Sequence, residues 1–440
     1  MIPFRRLVVF LPIAGLVIFK ACITLSSKPD VILEPGDYLP RLISPAQTTM
    51  TDRWQAIKRI EWDFDRHFSE TSLEINRLAS ILERLRNGQY ENAIADLEVF
   101  YKTVSDSAIR QFTGELLCRQ YFLLSRWSAI DSIPDSSDRH IDDEIQVLAR
   151  GYSSLPAEEY HFPANAVVLP ITLSIAGVPV VEVEINGQKR HFWFDTGASI
   201  SVIASDIIKE LGIRPMPDHK VMVGTSTSHK VGLNPTLIDE LRIGDLIVRH
   251  HPAAVIDHRD LEFRVLGVIK LVKIDGIIGW NLIQNLAVEL DYGAKTITIC
   301  QPQMTGYPWR NFFFLEIPTV VLMDSANNRH SFFLDTGANR SSITSTFIEK
   351  TALTPVRTGH ALVGGAGGFE KIQSQTVSNV ILYLDQVALS FAMLTTHPED
   401  SERLFLYSGV IGSDVARNGV MILDFQNGYF GIRPGIAEIK

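Results

Sequence analysis

The chain has 440 residues, of which 41 are Lys or Arg and 50 are Asp or Glu, giving a formal net charge of −9 at pH 7. Because its basic residues are scattered, the sequence lacks the clustered positive charge of a nucleic-acid-binding protein. The three cysteines, Cys22, Cys118 and Cys300, are too few for a disulfide framework and form no metal-ligand cluster.

The N-terminus carries features of an export signal. Two arginines precede an apolar run over residues 7–19. This length suits the core of a signal peptide better than a membrane span of about 20 residues. A run extended past Lys20 gives a marginal uncleaved anchor instead, and Cys22 suggests a bacterial lipoprotein site, which Lys20 fits poorly. We expect residues 1–26 to be a signal peptide or membrane anchor, and the protein to lie in the bacterial cell envelope, periplasmic or membrane-anchored.

Residues 51–130 are predicted to be helical, because apolar residues recur at helical spacing until Gly88 ends the run. Residues 88–94 resemble the middle of a tetratricopeptide unit. A helical bundle is the simpler interpretation of one unit, because such repeats need three or more neighbours. The region could serve as a scaffold, a surface for a protein partner or a propeptide-like cover. Acidic residues with Ser and Pro then predict a linker over 131–164.

Two copies of the tripeptide Asp-Thr-Gly follow, at 195–197 and 335–337. Each copy comes directly after an apolar, strand-forming run. A carboxylate there costs several kcal/mol to desolvate unless something satisfies it. Two such carboxylates, 140 residues apart, suggest one shared site built from two duplicated lobes. Two acids arranged in this way can share a proton and activate a water.

Other landmarks recur in the same order after both copies. Gly224 and Gly364 each follow a valine and lie 29 residues beyond their aspartate. Further along, residues 276–279 match residues 409–412 at an offset of 133, and the strands that follow keep this offset. The sequence therefore predicts an internal duplication.

Each copy also predicts the same local elements. Strands joined by a turn precede each Asp-Thr-Gly, at 180–185 and 188–194, and at 317–323 and 331–334. A short helix is predicted after each copy, at 203–211 and 344–353.

This set of motifs resembles the aspartic proteases of the pepsin and retropepsin clan, over residues 165–302 (lobe 1) and 313–440 (lobe 2). Both lobes carry a glycine-containing flap, and Ala198 and Ala338 follow the motif, which favours a single-chain, tandem retropepsin-like protease. The resemblance implies a mainly β, two-lobed acid-protease fold of duplicated retropepsin-like lobes, preceded by an α-helical N-terminal region.

The resemblance also implies roles for individual residues. Asp195 and Asp335 correspond to the catalytic dyad. Residues that support the dyad are Thr196, Gly197, Thr336, Gly337, Gly279 and Gly412. Flap glycines are Gly224, Gly364, Gly365 and Gly367. Ser199 and Asn339 depart from the retroviral pattern, which usually has Asp there, so we do not expect the ion pairs made by those acids.

The predicted function is an aspartic endopeptidase. One carboxylate takes a proton from a water that attacks the peptide carbonyl, and the other, protonated, donates to the carbonyl oxygen. Peptide or protein substrates are expected, and neither a metal nor another cofactor. Because the side chains of Ala198 and Ala338 carry no hydroxyl to hydrogen-bond the carboxylates, the pH optimum should lie higher than in Ser- or Thr-bearing relatives. The alternative is a non-catalytic peptide-binding or scaffold protein with a protease-like fold and a helical interaction module.

Several histidines are candidates for site residues. His250, His251 and His258 have no acidic or cysteine partner at metal-ligand spacing and are predicted to lie in a solvated loop. His191 and His330 lie close to the two aspartates, but at different offsets, which argues against a shared catalytic role. The glycine-rich run 364–368 lacks the ending of a phosphate-binding loop.

Overall fold

The computed structural model describes residues 31–35, 53–61, 73–131, 133, 143–174, 177–216, 219–224, 230–265, 269–304, 306–307, 309–366, 368–385, 387–399 and 403–435. Within these ranges the chain is mainly β. The predicted signal peptide or anchor at 1–26 and the predicted flap residue Gly367 lie outside them.

Helices dominate the first part of the chain. They are α1 (Arg53–Lys58), α2 (Leu73–Arg86), α3 (Tyr90–Thr103), α4 (Ser107–Leu123), α5 (Trp127–Asp131) and α6 (Asp143–Tyr152), followed later by α7 (Trp280–Ile283) and α8 (Ser345–Thr351). The predicted helical spacing is confirmed in α2, where Leu78, Leu82 and Leu85 are fully buried on one face. Gly88 follows with a φ of +73°, which favours glycine and ends the helical run. Among the described residues, no helix is both long and apolar enough to span a membrane.

The strands occupy most of the remaining chain. They are β1 (Val31–Pro35), β2 (Glu159–His161), β3 (Val167–Leu173), β4 (Pro179–Ile185), β5 (Gln188–Phe194), β6 (Ser201–Ala204), β7 (Val221–Gly224), β8 (Lys230–Ile243), β9 (Leu246–Ile256), β10 (Glu262–Val265), β11 (Ile269–Lys273), β12 (Gly276–Ile278), β13 (Ala287–Asp291), β14 (Thr296–Cys300), β15 (Phe312–Phe314), β16 (Pro318–Met323), β17 (Arg329–Leu334), β18 (Ser342–Ile343), β19 (Arg357–Gly365), β20 (Gly368–Leu384), β21 (Val387–Thr395), β22 (Gly409–Ile411), β23 (Gly419–Asp424) and β24 (Tyr429–Pro434).

The two halves of the β region use the same local arrangement. In the first, β12 lies between β5, to which it is parallel, and β6, to which it is antiparallel. In the second, β22 lies between β17 and β18 with the same two orientations. The predicted strand pairs before each Asp-Thr-Gly are confirmed as β4–β5 and β16–β17. Asn186 and Gly187, both with positive φ, make the tight turn between β4 and β5.

One antiparallel pairing joins the two halves directly. Strand β13 of the first half pairs with β23 of the second, with Leu290 opposite Met421. Hairpin partners β14 and β24 extend this sheet on either side. This sheet connects the half that contains β5 to the half that contains β17. The ends of these two strands can therefore be held close together.

Near the N-terminus, β1 adds to the edge of the second half. It pairs antiparallel with β21, with Leu33 opposite Leu389. Buried apolar residues from the helices and from both β halves form one continuous cluster. The helices are therefore packed against the β region as part of the same core.

Two expectations from the sequence differ from the structure. The helix predicted at 203–211 is wrong: Ile203 belongs to β6, and successive turns occupy 205–212. Pairing of β6 with both β12 and β9 outweighs the helical spacing of its apolar residues. The segment 131–164, expected to be a linker, contains α6 and β2. The second predicted helix, at 344–353, is confirmed as α8.

Candidate active site

Asp195 and Asp335 each lie directly after a strand, at the start of a tight turn. The amide of Asp195 donates to the carbonyl of Ile278 in β12 over 3.1 Å. In the second half, the amide of Asp335 donates to the carbonyl of Ile411 in β22 over 3.0 Å. Each aspartate is thus fixed by the short central strand beside it.

The two threonines of the motifs interlock. The amide of Thr196 donates to Oγ1 of Thr336 at 3.0 Å, and the amide of Thr336 donates to Oγ1 of Thr196 at 2.9 Å. Each hydroxyl in turn donates across to the other half, Thr196 to the carbonyl of Leu334 and Thr336 to that of Phe194, both at 2.8 Å. Two hydrogen bonds between the fully buried threonines, and two from their hydroxyls to carbonyls of the opposite half, therefore hold the two aspartate turns together.

The two carboxyl groups meet above these threonines. Oδ1 of Asp195 accepts from the amide of Gly197 at 2.8 Å and from that of Gly337, in the other half, at 3.2 Å. Oδ1 of Asp335 accepts from the amide of Ala338 at 3.0 Å. The two side chains also hydrogen-bond each other. Because both aspartates are almost completely buried, they form one desolvated acid pair.

Burial dominates the electrostatics of Asp195. Loss of water around the carboxylate raises its pKa from a usual value near 3.8 to about 7. The hydrogen bonds that Asp195 accepts from Gly197, Asp335, Gly337 and Ala198 stabilise the charged form and oppose this rise. A pair of this kind can hold one proton close to neutral pH.

Glycine is required at three positions around the pair. A Cβ on Gly197 would lie only 2.5 Å from Oδ1 of Asp335. One on Gly279 would lie 2.4 Å from the backbone carbon of Ile200, and one on Gly412 would lie 2.7 Å from a backbone oxygen. These close approaches are the physical reason for glycine there.

The residues after each motif carry no charge. Ala198 and Ala338 are buried, and their side chains carry no hydroxyl that could bond a carboxylate. Beyond them, the carbonyl of Ser199 accepts from the amide of Asn281 at 3.3 Å, and that of Asn339 accepts from Arg417 at 2.6 Å. Ser199 and Asn339 are thus held by hydrogen bonds to their backbone carbonyls.

The predicted flap glycines lie at the ends of hairpins. Gly224 is the last residue of β7 and is paired with Lys230 at the start of β8. Gly364 and Gly365 end β19, which pairs with β20. Glycine at such ends permits the close backbone approach that a substrate-covering hairpin needs.

Two equivalent serine hydrogen bonds, made by Ser201 and Ser341, were not predicted from the sequence. Ser201 donates its amide to Oδ1 of Asn281 at 2.9 Å, and Ser341 donates its amide to Oδ1 of Asp414 at 2.8 Å. Each of these hydrogen bonds connects the turn after an aspartate to the residues that follow the short central strand. The offsets of 140 between the serines and 133 between their partners match those of the duplication, so the signal was present.

The expectation of a solvated loop is wrong for His251, which is fully buried within β9. Its ring contacts Glu158 and Ser201. His330 is also buried and bonded to Asp324 at 3.0 Å, and burial lowers its pKa. Among the described residues, no group of three or more His, Cys, Asp or Glu could hold a metal ion.

Helix α4 contacts both halves of the β region. Arg119 lies 3.7 Å from the fully buried carboxylate of Glu316, and Gln120 donates to the carbonyl of Leu315. On the first half, Gln284 donates to the carbonyl of Leu123 in α4 over 2.8 Å. The helical region therefore bridges the two halves.

A family of known proteins is similar to part of the first half. Residues 181–282 match the family model described as aspartyl protease, a segment that contains Asp195, Gly224 and Gly279. No curated protein matches the chain. Among solved structures, a retropepsin-like aspartic protease from Rickettsia conorii matches with 15% identity and a TM-score of 0.20, over 32% of this chain and 91% of that one. The family match supports a relationship of this segment to the aspartyl proteases.

Proposed function

We propose that this protein is a single-chain aspartic endopeptidase whose active site is formed by Asp195 and Asp335, one from each half of a tandem, retropepsin-like duplication. One observation carries the proposal. Oδ1 of Asp195 accepts hydrogen bonds from the glycine amides of both motifs, Gly197 and Gly337. The two motifs, 140 residues apart, thus act on one carboxyl group.

The mechanism follows from the shared environment of the two acids. Both are buried and adjacent, so ionising both would place two like charges together in a poorly solvated site. The charged carboxylate removes a proton from a water that attacks the scissile carbonyl. The protonated one donates to the carbonyl oxygen, and the roles reverse when the amine leaves. The raised pKa of Asp195 supports activity closer to neutral pH than to pH 2–3.

The hairpins that end in Gly224 and Gly364 are proposed as flaps. A peptide bound in extended form would be covered by them and held through backbone hydrogen bonds, as in strand addition to a sheet. Substrate binding would then exclude bulk water from the acid pair.

The helical region is proposed to be a permanent scaffold of the enzyme. The contacts of Arg119, Gln120 and Leu123 with both β halves support this role over a removable cover. A protein partner for its outer surface stays a prediction.

Export to the bacterial cell envelope is also proposed. It is supported by the arginines and the apolar run within residues 1–26. Cell fractionation of the full chain tests it. An envelope location that persists when residues 1–26 are deleted would contradict the proposal.

Peptide cleavage tests the enzymatic function. The full chain is incubated with a peptide library between pH 3 and pH 8, and fragments are identified by mass spectrometry. Cleavage that survives a metal chelator and disappears in Asp195→Asn and in Asp335→Asn is expected. A wild-type protein that cleaves no peptide and binds no statine-type transition-state analogue would favour a peptide-binding role.

A further inference from the structure

A line of side chains formed by Glu158, His251 and Ser201 leads to the backbone of lobe 1 that holds Asp195. His251 contacts Oε1 of Glu158 through Nδ1, and its Nε2 lies 2.8 Å from Oγ of Ser201. The same Oγ accepts the amide of Gly279 at 3.0 Å. The residue before this glycine, Ile278, is the one whose carbonyl accepts the amide of Asp195.

A Ser-His-Glu arrangement invites comparison with a nucleophilic triad, but the surroundings of Ser201 exclude that role. Ser201 and His251 are both 0% exposed, so no substrate carbonyl can reach the hydroxyl. The oxygen is also occupied by the amide of Gly279. The line is therefore suited to holding backbone in place and not to attacking a substrate.

One assignment of protons satisfies every group in the line. With Glu158 ionised, Nδ1–H of His251 donates to it, which leaves Nε2 as an acceptor. The hydroxyl of Ser201 donates to Nε2 and accepts from Gly279. Each donor then has one acceptor, so the line has a defined direction from Gly279 to Glu158.

Lobe 2 builds the equivalent position differently. The amide of Gly412 donates to Oγ of Ser341 at 3.1 Å, as Gly279 does to Ser201. There the serine hydroxyl donates to the carboxylate of Asp414 at 2.7 Å. In lobe 1 the corresponding residue is the neutral Asn281, whose Oδ1 is 3.2 Å from the serine hydroxyl and also accepts the serine amide.

We propose that His251, oriented by Glu158, is a positioning residue for Asp195: it fixes the hydroxyl of Ser201, which holds Gly279 and the strand end beneath the aspartate. This inference rests on the proposed protease function. It also gives the segment between α6 and β2, where Glu158 lies, a defined task at the site.

The chain offers a matched control on the same strand. His250 precedes His251 in β9. Its Nδ1 lies 3.3 Å from the carbonyl of Ala157, the residue before Glu158. Its side chain is partly exposed. His250→Ala removes a histidine contact to the same segment without touching the line.

Steady-state kinetics is the first readout. His251→Phe and Glu158→Ala should lower kcat roughly tenfold or more, with KM changed less than about threefold, because the aspartate is misplaced and the substrate contacts are kept. Glu158→Gln retains an acceptor for Nδ1–H and should restore kcat to within about twofold of wild type. His250→Ala should match wild type.

Site-resolved amide hydrogen exchange is the second readout and needs no activity. The Gly279 amide should exchange at least about tenfold faster in His251→Phe and Glu158→Ala. The next amide, that of Trp280, donates to the carbonyl of Ala198 and serves as an internal reference. If wild type cleaves no peptide, the proposed function fails while this measurement still decides the positioning.

The proposal is overturned if kcat or Gly279 exchange in both His251→Phe and Glu158→Ala equals that of His250→Ala. It is also overturned if Glu158→Gln loses as much activity as Glu158→Ala, since that would make the charge the essential property. Glu158 is at the partly accessible end of the line, so its variants keep the test valid if His251→Phe fails to fold.

Discussion

Replacing Asp195 by Asn should change how the stability of the protein depends on pH. Burial raises the pKa of Asp195 from near 3.8 to about 7. Between these values the unfolded chain is ionised at this residue, whereas the folded chain still holds the proton. The contribution of the Asp195 carboxyl to folding stability is therefore fully present below about pH 4 and is lost as the pH rises through 7.

The magnitude follows from the shift. Each pKa unit corresponds to about 1.4 kcal/mol, so a rise of roughly three units costs the folded state about 4 kcal/mol by pH 8. Asparagine keeps an oxygen for the amides of Gly197 and Gly337 but cannot ionise. The free energy of unfolding of Asp195→Asn, relative to that of wild type, should thus rise by up to about 4 kcal/mol between pH 4 and pH 8.

Denaturant unfolding at a series of pH values, followed by circular dichroism, measures this difference. Asp245→Asn is the matched control, since Asp245 is an exposed carboxylate in the turn between β8 and β9, and its difference from wild type should be flat. A difference between Asp195→Asn and wild type that is equally flat from pH 4 to pH 8 would refute the reasoning.

Two further predictions concern the surroundings of the acid pair. Ala198→Ser and Ala338→Ser introduce hydroxyls that can donate to the carboxylates, so together they should lower the pH optimum of cleavage by about one unit; an optimum that does not fall in pH–rate profiles would contradict this. Arg119→Met leaves the buried carboxylate of Glu316 without its cation and should destabilise the protein by about 3 kcal/mol, measured by denaturant unfolding. Arg126→Met, which breaks the exposed ion pair with Glu91, should lower the free energy of unfolding by less than about 1 kcal/mol. Equal losses of stability in the two variants would contradict a stronger, buried contact at Arg119.

Much of the site could be predicted because its landmarks are local in sequence. Asp195 and Asp335 lie at strand ends that their apolar neighbours predict, and the glycines recur at fixed distances from them. The crossed hydrogen bonds of Thr196 and Thr336 link residues 140 positions apart. No local pattern encodes those bonds, and the resemblance to a family implied only that the two threonines support the dyad.

His251 illustrates what a local pattern cannot supply. In β9 buried and more exposed side chains alternate until His250, which has a φ of +54° and is not paired with β8. The alternation changes phase at this residue, so that His251 is buried and His250 is not. Because alternation along the strand does not reveal this break, the sequence of β9 alone predicts the wrong histidine environment.

The predicted helix at 203–211 failed for a related reason. Its apolar residues have helical spacing, yet Ser201–Ala204 pairs with β12 and β9 on its two sides. The hydrogen bonds and burial gained there exceed the small helical preference of a short segment. The edge position of β1 also depends on a partner far along the chain and was not foreseen.

The two Asp-Thr-Gly motifs are proposed to form one active site in one polypeptide. Titration of the full chain with a statine-type transition-state analogue, followed calorimetrically, tests it most directly. One molecule bound per wild-type chain is expected, with binding lost in Asp195→Asn and equally in Asp335→Asn. Two molecules bound per chain, or binding that survives either substitution unchanged, would contradict a shared site.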